Sequence, residues 1–266
     1  MKIYGLTDRG MVREINEDSI GISSFANGLT VALVCDGMGG AAGGKTASEI
    51  AGNVFTETIV PELYPLTVDE KSAPPIDVKK IKRALRASIA KANEAVYAAA
   101  REHEELRGMG CTINAAVYSE QLGKLCFANV GDSRLYMINK KEIKQLSKDH
   151  SYVQYLVDTG KILPEEAEHH PRKNLITRAV GVDQTVQADI SYIKITSKKP
   201  IYFLICSDGL HGLVPPEDIQ KIVMSAKCIE DKVIALINAA NDAGGTDNIS
   251  AVLLAINENN GEAGKK

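Results

Sequence analysis

Residues 111–146 read CTINAAVYSEQLGKLCFANVGDSRLYMINKKEIKQL, and this stretch decides the fold class. Cys111, Ile113, Ala115 and Val117 alternate with Thr112, Asn114, Ala116 and Tyr118, which is the period of two of a strand. A turn at Gln121–Gly123 leads into Lys124–Val130, one at Gly131–Ser133 into Arg134–Ile138, and one at Asn139–Lys141 into Glu142–Leu146. Strands joined by such short turns pair antiparallel, because parallel neighbours need a crossover of a dozen or more residues.

Upstream, short strand patterns cover Ile3–Leu6, Ser19–Ser24 and Leu29–Cys35. A helix is expected from about Thr46, with Ala47, Ile50, Ala51, Val54 and Phe55 on one face and Thr46 with Glu49 as a capping box. A longer helix is expected over Asp77–His103, where Ile81, Leu85, Ile89, Ala92, Val96 and Ala99 recur every three or four residues. Downstream, residues 150–186 are polar and irregular around His169-His170-Pro171 and read as a loop-rich subdomain. The apolar strand Ile201–Cys206, two helices after Pro215-Pro216 and Glu230, and the strand Ile249–Ala255 close the chain. Sheet blocks followed by helix pairs point to an α+β fold, a four-layer α-β-β-α sandwich of two antiparallel sheets with helix pairs outside. No linker rich in Gly, Pro or Ser divides it, the nearest being Leu63–Pro75, so residues 1–257 read as one domain and 258–266 as a frayed polar tail.

Composition narrows the classes. The 266 residues are 44% hydrophobic and 24% charged, an ordinary globular mix. Lys and Arg total 31 against 34 Asp and Glu, a net charge of −3, which argues against a nucleic-acid or membrane-surface binder. No apolar run reaches the roughly 18 residues of a membrane span, and the N-terminus has no signal-peptide core, so a cytoplasmic protein is expected. A monomer is expected as well, since no oligomerisation stripe stands out. Cys35, Cys111, Cys126, Cys206 and Cys228 form no Cys-x-x-Cys pair and read as reduced core residues. None has an Arg six positions on, which a cysteine-nucleophile phosphatase would need.

Two signals compete for the chemistry. Gly39-Gly40-Ala41-Ala42-Gly43-Gly44-Lys45-Thr46 fits the phosphate-binding loop G-x-x-x-x-G-K-[ST] between a strand and a helix, so an ATPase is the alternative reading. Against it stand the antiparallel meander and Asp36, an anion beside the place where a phosphate would dock. The second signal is a set of carboxylates at strand ends: Glu17-Asp18, Asp36-Gly37, Gly131-Asp132, Ser207-Asp208-Gly209 and Asp247-Asn248. Buried carboxylates need a cation or a donor, and hard oxygen ligands of this kind suit Mg²⁺ or Mn²⁺. Arg13 adds a rigid fork for phosphate oxygens.

Arg13-x-x-Asn16-Glu17-Asp18, Asp36-Gly37-Met38-Gly39-Gly40, Gly131-Asp132-Ser133-Arg134, Ser207-Asp208-Gly209 and Asp247-Asn248, in this order and spacing, resemble the metal-dependent Ser/Thr protein phosphatases of type 2C in their compact bacterial form. The resemblance spans nearly the whole chain. It implies hydrolysis of phosphoserine and phosphothreonine monoesters by a metal-bridging hydroxide, with no phosphoenzyme. It implies two Mn²⁺ or Mg²⁺ ions, with Asp36 bridging them, Gly37 giving a carbonyl to one, and Asp208 and Asp247 holding the other. Glu17 and Asp18 act directly or through water, Asp132 with Asp208 matches a third, weaker ion, and Arg13 binds the substrate phosphate. Residues 150–186 correspond to a substrate-contacting flap, and the expected partners are a cognate Ser/Thr kinase and its phosphorylated substrates. The pattern departs in one place: the loop after Asp36 has no His, so leaving-group protonation falls to a water or to a flap residue such as His169 or His170.

Overall fold

The computed structural model describes residues 1–39, 43–64, 76–167 and 169–258. The chain order is β1 (Lys2–Asp8), β2 (Ser19–Ser24), β3 (Leu29–Cys35), β4 (Gly37–Met38), α1 (Gly43–Leu63), α2 (Val78–Glu102) and a 3-10 turn (Glu104–Leu106). It continues with β5 (Gly110–Cys111), β6 (Ile113–Ser119), β7 (Lys124–Val130), β8 (Arg134–Ile138), β9 (Ile143–Gln145), α3 (Tyr152–Asp158) and α4 (Pro164–Ala167). Then come β10 (Asp189–Lys194), β11 (Ile201–Cys206), α5 (Asp208–His211), α6 (Pro216–Val223), α7 (Ile229–Asp242) and β12 (Ile249–Ile256).

Two five-stranded sheets, ordered β1-β12-β11-β8-β9 and β10-β7-β6-β3-β2, stack face to face. Every strand pair among the described residues is antiparallel. The strand period of two sorts each strand's residues between two cores. In β3, Val31, Leu33 and Cys35 face α1 and α2, while Ala32 and Val34 enter the layer between the sheets. In β11, Tyr202, Leu204 and Cys206 face α6 and α7, while Ile201, Phe203 and Ile205 meet the other sheet. Covered on both faces, such strands read as nearly unbroken apolar runs, which is why their sequence signal is strong.

α2 forms where the pattern places it. Asp77 caps it by accepting from the Lys80 N–H at 2.7 Å, and Ile81, Leu85, Ile89, Ala92 and Val96 are buried against the sheet. Four expectations need correction. α1 starts at Gly43, so Thr46 lies inside its first turn and is not the cap of a capping box. β10 was not foreseen, because a half-exposed edge strand with pattern DISYIK carries little apolar alternation. Cys228 is exposed at the start of α7, whereas the other four cysteines are buried. Glu258 is held rather than frayed, for it accepts hydrogen bonds from buried Lys232 Nζ (2.8 Å) and Tyr202 OH (2.7 Å). Residues 65–75 of the candidate linker, 40–42 of the glycine loop and 259–266 of the tail lie outside the described residues.

Candidate active site

The packing of two sheets brings together carboxylates far apart in sequence. Asp36 follows β3, Asp132 sits in the turn after β7, and Asp18 precedes β2, all on one sheet. Asp208 follows β11 and Asp247 lies just before β12 on the other. Asp36 feels the charges of Asp18, Asp208, Asp132 and Asp247 together, so the five acids face one shared space.

Burial is the largest influence on each buried acid. It pushes Asp36 well above the usual carboxylate range, and the surrounding acids push it further. Asp36 shares a hydrogen bond with Asp208, which favours the ionised form of Asp208 against the effects of burial and Asp247. Asp18 is raised to about 7 by burial, although its Oδ2 accepts from Ser207 Oγ (2.8 Å) and Ser250 Oγ (2.7 Å). Asp132 is also raised to about 7, by burial and then by Asp208.

Small polar residues set these acids in place. The Asp36 N–H donates to Thr112 Oγ1 at 3.0 Å, and the Thr112 N–H donates to Asp36 O at 2.8 Å. Asn248 stitches the N-terminal loop to β12: its Oδ1 accepts from the Glu17 N–H (2.8 Å), and its Nδ2 donates to Arg9 O and Ile15 O (2.9 Å each). Asn129 Nδ2 donates to Gly131 O at 3.0 Å, and Asn114 Nδ2 to Ser133 O at 3.0 Å, fixing the turn that carries Asp132. A Cβ on Gly37 would collide with Gly44 O and Glu17 O, so only glycine fits there. Arg13 sits at the rim, half-exposed, with Nη2 2.9 Å from Asp247 Oδ2.

The donor set fits a hard cation. Glu17 Oε1 and Asp18 Oδ1 are buried without a hydrogen-bond partner, an arrangement that costs free energy unless something positive meets them. Among the described residues no three His, Cys, Asp or Glu side chains close into a ready-made cage around one point.

Two histidines outside the acid set take different places. His170 packs against Tyr152 with ring centroids 5.9 Å apart and accepts from the Arg172 N–H, and no contact joins it to the acids. His211 lies at the acid cluster, its Nε2 3.1 Å from Asp132 O. The phosphate-loop reading fails on geometry. A Cβ on Gly44 would lie 2.5 Å from Glu17 Oε1, which sets an anion beside the end of the loop, and Lys45 pairs with Glu49 at 3.8 Å. The sequence reading missed Thr112, Ser207 and Ser250 as supports. A lone hydroxyl inside an otherwise apolar strand marks Ser250, whereas Thr112 and Ser207 sit just outside strands and carry no such signal.

Residues 11–253 match the family described as Protein phosphatase 2C. The chain is 35% identical over 248 residues to the serine/threonine phosphatase stp of Listeria monocytogenes, covering 93% of each chain. Its structure resembles that of the serine/threonine phosphatase Stp1 from Staphylococcus aureus, with a TM-score of 0.85 and 34% identity over 96% of this chain and 94% of that one. It also resembles the catalytic domain of the serine/threonine protein phosphatase PstP in complex with two manganese ions, with a TM-score of 0.73 and 29% identity over 96% and 98%.

Proposed function

This chain belongs to the protein phosphatase 2C family and is a serine/threonine phosphoprotein phosphatase, and we propose that Glu17, Asp18, Asp36, Asp132, Asp208, Asp247 and the Gly37 carbonyl are its cation-binding groups. The observation that carries this reading is the convergence of five buried or half-buried carboxylates from both sheets, two of their neighbouring oxygens without partners. In it, Asp36, Asp208 and Asp247 hold two divalent ions, Mn²⁺ or Mg²⁺, with Glu17 and Asp18 behind them, and Asp132 with Asp208 holds a third, weaker one. The two manganese ions of the PstP complex support the dependence on divalent metal. When bound, such ions lower the pKa of water towards neutrality and neutralise phosphate charge.

The protein's own residues do the rest. Arg13, steered by Asp247, presents its remaining N–H groups to the phosphate at the rim. Ser207 and Ser250 keep Asp18 oriented, and Thr112 keeps Asp36 oriented, so the charged groups are preorganised before substrate arrives. Phosphoproteins are the substrates. In this reading the chain acts as a monomer of one catalytic domain, residues 1–257, with residues 150–186 as its flap. It works in the cytoplasm opposite a Ser/Thr kinase. No helix among the described residues is long and apolar enough to cross a membrane. An all-antiparallel core among the described residues and a family of protein phosphatases leave the ATPase alternative without support.

The test is hydrolysis of p-nitrophenyl phosphate with Mn²⁺, with EDTA, and with ATP as competitor. Activity is expected only with the metal and is expected to vanish in Asp36→Asn and Asp208→Asn. Activity that survives both substitutions, or that depends on Lys45, overturns the assignment.

A further inference from the structure

His150 stands at the start of the segment 150–186 and grips Gly131 from two sides. Its N–H donates to Gly131 O at 2.9 Å, and its Nδ1 accepts from the Gly131 N–H at 3.1 Å. Gly131 has φ +103°, and a Cβ there would lie 2.5 Å from Thr112 Cγ2, so the residue that precedes Asp132 has one tightly specified conformation.

The other side of the ring reaches the flap's return. His150 Nε2 lies 3.2 Å from Asp189 Oδ2 and 2.9 Å from Arg178 Nη1. Because Nδ1 is committed as an acceptor, the hydrogen-bond network assigns the proton of the neutral ring to Nε2, which donates to Asp189. Arg178 Nη1 spends its two N–H groups on Asp189 Oδ1 (2.9 Å) and Gln187 O (3.0 Å), so Asp189 is the acceptor that the ring and the guanidinium share. The His150 carbonyl accepts from the Thr177 N–H at 2.7 Å. One buried imidazole, 7% exposed, therefore touches the turn that carries Asp132, the end of the flap, and the first residue of β10.

We propose that His150 is a positioning residue that couples the placement of Asp132 to the conformation of the flap. The Nδ1 arm aims the Gly131-Asp132 turn into the acid cluster. The Nε2 arm holds Asp189, and through it Arg178, where the flap rejoins the sheet. His150 acts through these residues and not on the substrate. The Nδ1 half of the inference rests on reading Asp132 as a cation ligand; the Nε2 half does not.

The experiment separates the two arms. Asn places its Oδ1 close to where His places Nδ1, so His150→Asn keeps the acceptor for Gly131 and loses the reach to Asp189. His150→Ala loses both, and Asp189→Ala cuts the outer arm from the exposed side without touching the core. Gly131 amide exchange is followed in EDTA-treated protein, alongside half-saturating Mn²⁺ and the KM and kcat for a phosphothreonine peptide. His150→Ala is expected to speed Gly131 exchange and to raise half-saturating Mn²⁺, each about three- to tenfold, and His150→Asn to restore both. His150→Asn and Asp189→Ala are each expected to raise peptide KM about three- to tenfold with kcat held, and the double variant no further. Loss of Gly131 protection in His150→Asn, unchanged KM in both outer-arm variants, or additive effects in the double variant overturns the proposal. Absence of Mn²⁺ dependence in the wild-type protein would instead sink the cation reading, while the exchange rates and the KM cycle still report on His150.

Discussion

Replacing Asp18 by Asn tests whether the acid cluster is an electrostatic liability without cations. The Asp18 carboxyl ionises at about 7 in the folded protein, against 3.8 for an ordinary Asp such as it becomes on unfolding. Between these values the unfolded chain has lost its proton and the folded protein has kept it. The stability linked to this group is therefore fully present below pH 3.8 and is lost as pH rises through 7. The slope is about 1.4 kcal/mol per pH unit between the two values and flattens towards pH 7, so about 2 kcal/mol disappears between pH 5 and pH 7. An Asn cannot ionise and loses none of it. It accepts from Ser207 and Ser250 as Asp18 Oδ2 does, and any fixed cost of its amide at the partnerless Oδ1 position is independent of pH.

In EDTA, the stability of Asp18→Asn relative to wild type should therefore improve by about 2–3 kcal/mol between pH 5 and pH 8, most of it below pH 7. Thermal unfolding should show this as a relative Tm gain of about 5–10 °C. Urea unfolding at matched pH values measures the same quantity. Saturating Mn²⁺ at pH 8 should reverse the order, since a ligand at 100 times its Kd adds about 2.7 kcal/mol to whichever protein binds it. A stability difference that does not change with pH, or one that moves against the variant as pH rises, refutes the electrostatic reasoning.

Arg13→Ala removes the guanidinium that pairs with Asp247 at 2.9 Å and is expected to raise KM for p-nitrophenyl phosphate about tenfold or more, with a smaller change in half-saturating Mn²⁺; unchanged steady-state kinetics would remove Arg13 from the phosphate site. Gly131→Ala forces a Cβ to within 2.5 Å of Thr112 Cγ2 at φ +103° and is expected to cost about 1–3 kcal/mol in urea unfolding. Because Thr112 Oγ1 also receives the Asp36 N–H, the same substitution should weaken Mn²⁺ binding at Asp36, which titration calorimetry would detect.

The elements with two covered faces were legible because burial writes itself into the chain. β3, β6 and β11 are fully buried and read as apolar runs, and α2 announces its stripe from Ile81 to Val96. β10 was hidden because it lies at a sheet edge and buries only part of one face. The start of α1 was misread because Thr46 and Glu49 carry a cap signature two to three residues inside a helix that glycines open. Among site residues, Asp18, Asp36, Asp132, Asp208 and Asp247 stand out beside glycines and polar residues at strand ends, whereas Thr112 and Ser207, just outside strands, look like ordinary polar residues until their partners are known.

By itself the sequence determined the antiparallel class, through tight turns that cannot span a crossover, and the identity of the acids, through their placement at the ends of apolar strands. It also carried a false phosphate loop that no local reading could dismiss outright. The tertiary structure decided that question by laying Glu17 against Gly44, a contact between residues from different elements. It likewise decided which hydroxyl serves which carboxylate and that His150 joins the Asp132 turn to the flap. Such pairings depend on the register of two sheets and the ends they share, and register is a property of the packed molecule rather than of any segment of its chain.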